Sequence, residues 1–126
     1  MNNGTRVWNQ KDVGYKEERP WGYFKILAVE KGYVVKEIYV NPNSIISLQH
    51  HEHRIEFWSV IEGDGFVLIG SDASEASVGH MFFIDKKTKH RLASGIKTHI
   101  KIIEVSLGEV IDENDIVRHE DEYGRE

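Results

Sequence analysis

The chain has 126 residues, which is enough for one ordinary domain with a single hydrophobic core. Its 16 Lys and Arg residues stand against 21 Asp and Glu residues, and the net charge of −5 argues against nucleic acid or an anionic membrane as a partner. Cysteine is absent, which excludes disulfides and thiolate metal sites, so any metal must be bound by His, carboxylate or amide oxygen.

The first 18 residues are polar and charged, and they show no clear periodicity. We expect residues 1–18 to form an arm ahead of a single domain over residues 19–126, with Val7, Trp8 and Tyr15 packing it against the domain or a neighbouring subunit. The segment lacks the apolar stretch of a signal peptide, and no later apolar run reaches membrane-spanning length. These features favour a cytoplasmic protein.

From residue 21 onward, short runs rich in Val, Ile, Phe, Tyr and Trp alternate with turn residues, as is typical of an all-β sandwich or barrel. Gly, Pro, Asn and Asp predict turns at 30–32, 41–43, 62–65 and 70–72. The acidic end of the chain is expected to form a tail or a short helix. The predicted strands are 22–29, 33–40, 44–51, 56–62, 65–70, 80–84, 89–93 and 97–106.

Alternation within residues 33–40 places Val34, Lys36, Ile38 and Val40 on one face. This face is mostly aliphatic and is predicted to line the barrel, which would place Lys36 inside. An inward lysine is costly unless its ammonium finds a partner or reaches water. Two interpretations of Lys36 therefore stay open. Its side chain could extend so that the ammonium reaches solvent at the barrel mouth, or the lysine could have a functional role within the barrel.

A histidine-rich turn lies between two apolar runs over residues 47–58. Gln49 and His51 are two apart and share a strand face, Glu56 begins the next run, and His90 follows a hairpin further along. Donors that converge from several strands of a barrel can bind one divalent metal ion. The alternative is that these side chains are simply solvated groups on a polar surface loop and bind no metal. The remaining candidates are interpreted as solvated or supporting groups: His50, Glu52, His80, His99 and His119.

These residues resemble the two motifs of the cupin family, which implies a jelly-roll β-barrel. The first motif maps with its spacing kept onto Asn43, Gln49, His51, Glu56 and Gly63, although Asn43 replaces a Gly and Gln49 replaces a His. The second motif maps onto Gly79, Asp85, Lys87, His90 and Ser94, where only Gly79 and His90 match.

More specifically, the chain resembles the C-terminal isomerase domain of type II mannose-6-phosphate isomerases, which are often fused to a mannose-1-phosphate guanylyltransferase. The resemblance runs from about residue 19 to 125. The matching pieces are Arg19-Pro20-Trp21-Gly22, Ser47-Leu48-Gln49, His51, His53-Arg54, Glu56, Trp58, His90-Arg91-Leu92, Glu104-Val105, Asp115-Ile116-Val117-Arg118 and Glu120-Asp121-Glu122-Tyr123-Gly124-Arg125.

The resemblance implies a metal-dependent enzyme that interconverts mannose 6-phosphate and fructose 6-phosphate. It implies one divalent ion, with zinc expected and manganese, cobalt or nickel as alternatives, on Gln49, His51, Glu56 and His90. The catalytic candidates are Arg54, Lys36 and His53, and the candidates for binding the sugar phosphate are Arg54, Arg91 and Lys36. Arg54 is expected to contact a phosphate or enediolate oxygen through its planar fork.

The chain departs from the family at Glu52 and Phe57, where a His is usual, and at Asp85 and Lys87, where Pro and Gly are usual. Two alternatives therefore stay open, a non-catalytic cupin that binds a sugar phosphate or sugar nucleotide, and a cupin with other metal chemistry such as oxygenation or epimerisation. We expect a homodimer, because exposed strand edges and the scattered apolar residues of the N-terminal arm both favour the pairing of two chains. A separately encoded nucleotidyltransferase is a further expected partner, since this sequence has no counterpart of that half.

Overall fold

The computed structural model describes residues 6–120, and within them it contains β-strands and one short 3-10 helix at Gln10–Asp12. The predicted all-β class is confirmed. The strands are β1 (Lys16–Arg19), β2 (Gly22–Glu30), β3 (Tyr33–Val40), β4 (Leu48–His50), β5 (Ile55–Ile69), β6 (Asp72–Ser77), β7 (Met81–Ile84), β8 (His90–Ser94), β9 (Ile100–Leu107) and β10 (Val117–Glu120).

The strands form one curled antiparallel sheet in the order β1-β2-β3-β9-β5-β8-β4-β10, and β6 and β7 both pair with β5. The long strand β5 joins the two halves of the barrel. Its first part pairs with β7 and β9, and its second part pairs with β6 and β8. The inward faces of both halves enclose the apolar core and the site described below.

The predicted turn at 62–65 was wrong, because β5 runs through it without a break. Gly63 has a φ of +74°, and a Cβ at this position would lie 1.7 Å from the carbonyl oxygen of His99. A Cβ at Gly65 would lie 2.0 Å from the carbonyl oxygen of Ala93. These glycines therefore allow neighbouring strands to approach where β5 passes from one half of the barrel to the other, and they do not form a hairpin.

Replacing Gly63 with alanine is expected to destabilise the fold more than replacing Gly70. Both residues have positive φ, which costs an alanine about 1–2 kcal/mol. Only Gly63 adds a backbone clash, because nothing lies within 4 Å of a Cβ at Gly70. The clash should add about 1–3 kcal/mol to the loss in free energy of unfolding. Urea denaturation of the two variants checks this, and equal losses would contradict it.

Several predicted boundaries also differ from the structure. The predicted strand 44–51 is reduced to β4 and an isolated bridge between Ile45 and Ala93. Strand β6 was not predicted. The expected C-terminal tail or helix is instead strand β10 as far as residue 120, and residues 121–126 lie outside the described part. Strands β6 and β10 are largely polar, so they carry little of the apolar pattern from which strands are predicted.

The segment expected to form an arm packs against the chain's own barrel over its described residues. Val7 forms a bridge with Asp112, and strand β1 pairs with β2. Trp8 is buried, with its ring centroid 6.1 Å from that of Phe24, and its Nε1 donates to Glu113 Oε1 at 3.1 Å. Residues 1–5 lie outside the described part.

The predicted inward face of β3 is confirmed, since Val34, Lys36, Ile38 and Val40 are all buried. Lys36 is thus enclosed in the barrel with only 3% of its surface exposed. Within residues 6–120, no helix has the length and apolar character needed to cross a membrane.

Candidate metal centre

Three potential metal ligands converge inside the barrel from separate places in the sequence. His51 follows β4, Glu56 is the second residue of β5, and His90 begins β8. His51 Nε2 lies 3.3 Å from Glu56 Oε2, and His90 Nε2 lies 3.9 Å from Glu56 Oε1. One donor atom from each residue lies within 4.8 Å of the other two, so the set could hold a metal ion.

Backbone carbonyls orient both imidazole rings. His51 Nδ1 donates to the carbonyl oxygen of Asp115 at 2.7 Å, and His90 Nδ1 donates to that of Thr88 at 2.9 Å. This arrangement leaves each Nε2 as an acceptor that faces the centre. Burial lowers the pKa of His51 to about 4 and lowers that of His90 as well. Both rings are therefore neutral at pH 7, the form that binds metal.

Glu56 supplies the negative charge at the centre. It is buried, Trp58 Nε1 donates to its Oε1 at 3.0 Å, and Arg54 Nε donates to its Oε2 at 2.9 Å. Burial alone would raise the pKa of Glu56, but its interactions with His51, when that ring is protonated, and with the Arg54 guanidinium hold it well below its usual range. At pH 7, where His51 is neutral, Arg54 is the permanent positive charge beside this carboxylate. Two neutral imidazoles and one carboxylate fit a divalent ion and leave it coordination positions for a substrate.

Gln49 lies beside these ligands on β4, where its Cα is paired in register with those of His90 and Arg118. Its Nε2 donates to the Ser47 carbonyl oxygen at 3.3 Å and to Ser47 Oγ at 3.0 Å. The side-chain oxygen Oε1 is therefore the atom that could bind a metal. All four ligand candidates from the sequence line one cavity of about 70 Å³.

The same cavity contains a cluster of charged groups around the buried Lys36, in which Glu104 is buried and Glu113 is half-buried. Lys36 Nζ contacts Glu113 Oε1, lies 3.9 Å from Glu104 Oε2 and sits 4.9 Å from the ring centroid of Phe24. Burial and the charge of Glu56 raise the pKa of Glu104 to about 8. Burial would also raise that of Glu113, but Lys36 lowers it to about 2. The lysine therefore has internal partners and does not extend into solvent.

Glu104 and Glu113 were not among the predicted site residues. Glu104 had a detectable signal, because Ile100, Ile102, Glu104 and Ser106 alternate with outward residues along β9. A carboxylate at an inward position is unusual and indicates a functional or paired group. Glu113 lies in a loop without periodicity, and its approach to Lys36 depends on tertiary structure alone.

Arg54, His53 and Arg91 do not line this cavity. Arg54 lies behind the ligands with 4% of its surface exposed, and it donates to Glu56 and to the carbonyl oxygen of Asp112 at 3.0 Å. His53 is exposed and lines a different pocket. Arg91 donates through Nε and Nη2 to the Ile46 carbonyl oxygen and through Nη1 to Glu120.

Asp115 holds the turn that carries His51. Its carboxylate accepts the backbone N–H groups of Glu52 and His53 at 2.9 and 3.0 Å, and its carbonyl accepts His51 Nδ1. Replacing Asp115 with alanine should loosen the turn and weaken metal affinity about 10- to 100-fold. Metal titration by calorimetry measures this. Asp112→Ala is the control, because that carboxylate accepts only Arg6 and Asn114 backbone N–H groups in the described structure. Equal affinity in both variants would contradict the assignment.

Known proteins resemble this chain over most of its length. The family model described as "Mannose-6-phosphate isomerase C-terminal" matches residues 8–121. Xanthan biosynthesis protein XanB of Xanthomonas campestris pv. campestris is 37% identical over 110 residues, which cover 87% of this chain and 24% of that protein. Mannose-1-phosphate guanylyltransferase ManC of Salmonella typhimurium is 36% identical over 107 residues, 85% of this chain and 22% of that protein. The chain therefore spans about a quarter of the length of these relatives.

Among solved structures, a cupin-2 domain from Rhodospirillum rubrum superposes with a TM-score of 0.66 at 18% identity, over 79% of this chain and 70% of that one. The protein thus has the cupin fold, with a site in which the buried His51, Glu56 and His90 could hold a metal ion. The chain belongs to the mannose-6-phosphate isomerase C-terminal domain family.

Proposed function

We propose that the protein is a metal-dependent isomerase that interconverts mannose 6-phosphate and fructose 6-phosphate. The observation that carries this proposal is that the candidate metal ligands and the charged cluster of Lys36, Glu104 and Glu113 line one cavity. Aldose–ketose interconversion needs both components, stabilisation of an enediolate oxygen and transfer of a proton between C1 and C2. Membership of the isomerase domain family adds independent support.

A divalent ion held by Gln49, His51, Glu56 and His90 would stabilise the negative charge that develops on the substrate oxygens. We assign the proton transfer to Glu104, which lies in the cavity next to Lys36: its carboxylate form takes the proton from one of C1 and C2, and the resulting carboxyl group returns it to the other. The Lys36 ammonium can donate hydrogen bonds to a substrate oxygen while Glu113 keeps it oriented. His53 has no part in this scheme, because it is exposed on a different pocket.

Arg54 is proposed as a positioning residue, in place of the direct substrate contact expected from the sequence. Its Nε holds Glu56 Oε2, and its Nη2 lies 3.3 Å from His51 Nε2. Such contacts act on the substrate through the ligands. Loss of the Arg54 side chain should therefore lower metal affinity as well as turnover. If Arg54 contacted the phosphate instead, its loss would lower turnover alone.

Replacing Glu104 with glutamine should reduce kcat by about 10²- to 10⁴-fold, because the amide cannot carry the proton. Metal content and thermal stability should change little, since the side chain keeps its size. Glu75→Gln, an exposed change on β6, is the matched control. Steady-state kinetics and elemental analysis of both variants measure this, and a Glu104→Gln enzyme with unchanged kcat would remove Glu104 from the mechanism.

A coupled assay on mannose 6-phosphate tests the proposed activity, with the protein loaded in turn with zinc, manganese, cobalt and nickel. Turnover that follows metal loading supports the isomerase. If no metal gives turnover but the loaded protein still binds the sugar phosphate in calorimetry, the non-catalytic binding cupin takes its place. That alternative is motivated by Glu52 and Phe57, which stand where the resembled family usually has histidines.

We further propose a homodimer located in the cytoplasm, with a nucleotidyltransferase as a functional partner. The name of ManC supports the last point, since that relative is a guanylyltransferase of which this chain matches only a part. Trp8 is buried against its own barrel, so pairing does not require an exchanged N-terminal segment. Sedimentation equilibrium at micromolar concentration measures the mass, and a monomer would contradict the dimer.

A further inference from the structure

A second pocket adjoins the metal cavity. Its volume is about 230 Å³, and it shares four lining residues with the cavity: Arg19, Glu113, Ile116 and Arg118. Arg6 and Glu17 complete its described lining together with Asn114. We call this pocket the entrance to the cavity. It is lined by three guanidinium groups and two carboxylates, and one of the carboxylates is paired with Lys36. This entrance is a place where an anion attached to a substrate in the cavity would be stabilised.

Arg19 is held in place at this entrance. It ends β1, its Nη2 lies 2.5 Å from Glu17 Oε2, and its guanidinium lies 5.8 Å from the ring centroid of Phe24. Glu17 also accepts hydrogen bonds from Arg6 and from the Tyr15 hydroxyl, so its position does not depend on Arg19 alone. A guanidinium has five N–H donors, and the contact with Glu17 uses only one of its nitrogens.

Arg118 reaches the same entrance from the other end of the sheet. Strands β1 and β10 are the two ends of the main strand path, and its curl brings Arg19 and Arg118 to one pocket. The Cα of Arg118 is paired in register with that of Gln49, so both side chains lie on the cavity face. The proposed metal ligand and this arginine are thus neighbours across two strands. Trp21, which also lines the cavity, has a buried Nε1–H without a hydrogen-bond acceptor among the described residues.

We propose that Arg19 and Arg118 bind the phosphate group of the substrate, with Arg6 at the outer edge of this subsite. The inference rests on the proposed function and extends it, because it sets the orientation of the sugar. The carbonyl end would lie at the metal ligands, and the phosphate end would lie at the arginines of the entrance. Planar guanidinium groups match phosphate oxygens in pairs, which makes arginine suited to this task. Arg91, the phosphate contact expected from the sequence, is instead engaged by Ile46 and Glu120.

Inorganic phosphate is the probe that separates this inference from the isomerase activity. Calorimetry of the protein, as purified and after chelation of divalent ions, should show phosphate binding that Arg19→Gln and Arg118→Gln each weaken about 10- to 100-fold. Arg91→Gln is the matched control and should bind phosphate normally. In the isomerase assay, the first two variants should raise KM for the sugar phosphate and retain most of kcat and all of the metal.

Nitrogen-edited NMR of the unmodified protein locates the anion even if a variant folds poorly, because phosphate should shift the Nε–H signals of Arg19 and Arg118. Phosphate binding that depends on these arginines, without any turnover, would uphold the subsite and overturn the proposed activity. Turnover with unchanged phosphate affinity in both variants would overturn the subsite and leave the activity standing. Absence of phosphate binding to the unmodified, chelated protein would also overturn the subsite.

Discussion

Replacing His51 or His90 with alanine is expected to abolish both metal binding and isomerisation while the barrel stays folded. Each histidine supplies one of the few donors that converge at the centre, and its Nδ1 is already committed to a backbone carbonyl. Among the described residues, His51, Glu56 and His90 form the set of His and acidic donors that lie within 4.8 Å of one another, so loss of one nitrogen leaves that set incomplete. The apolar core does not depend on either ring, so the fold should persist.

Metal content by mass spectrometry, with circular dichroism as the test of folding, measures this result. His53→Ala is the matched control, because His53 belongs to the same turn but is exposed outside the cavity. It should retain one metal per chain. Full metal occupancy in both the His51 and the His90 variant would refute the assignment of the centre.

Replacing Glu56 with glutamine is expected to remove the metal and also to lower the free energy of unfolding of the metal-free protein by about 3–5 kcal/mol. The substitution leaves the buried Arg54 without its carboxylate partner, and the amide offers one acceptor oxygen to two donors, Arg54 Nε and Trp58 Nε1. Glu62→Gln, which breaks exposed contacts with His99 and Lys101, is the control and should barely change stability.

Urea denaturation after chelation gives the two free energies. The pKa of Glu56 is lower in the folded protein than in the unfolded chain, so its stabilising effect is present above the ordinary pKa of glutamate. The effect is lost as the pH falls from there toward the folded value. The difference between wild type and the Glu56→Gln variant should therefore shrink in acid. A variant as stable as wild type at pH 7 would show that Arg54 does not need this partner.

The local patterns of the sequence predicted the inner surface of the barrel well. Alternation along β3 identified its buried face, including Lys36, because the side-chain period of a strand is independent of the rest of the fold. The ligand candidates were found from spacing for the same reason. Gln49 and His51 share a face, and Glu56 enters the next strand after a short turn.

Long-range contacts were not predictable from these patterns. Arg54 follows the ligand turn in sequence, but its orientation is set by Glu56 and by Asp112, 58 residues away. Arg19 and Arg118 are brought together only by the curl of the sheet. Gly63 and Gly65 were interpreted as a turn, because composition does not distinguish a chain reversal from a close approach between strands.

Approach to equilibrium from both sides of the reaction, followed by phosphorus NMR, is the decisive measurement for the proposed isomerase activity. Zinc-loaded protein is incubated with mannose 6-phosphate in one sample and with fructose 6-phosphate in another, beside chelated protein and the His51→Ala variant. We expect both zinc-loaded samples to converge on one mixture of the two sugar phosphates, while neither control changes. Unchanged starting sugars in both samples, repeated with manganese, cobalt and nickel, would contradict it.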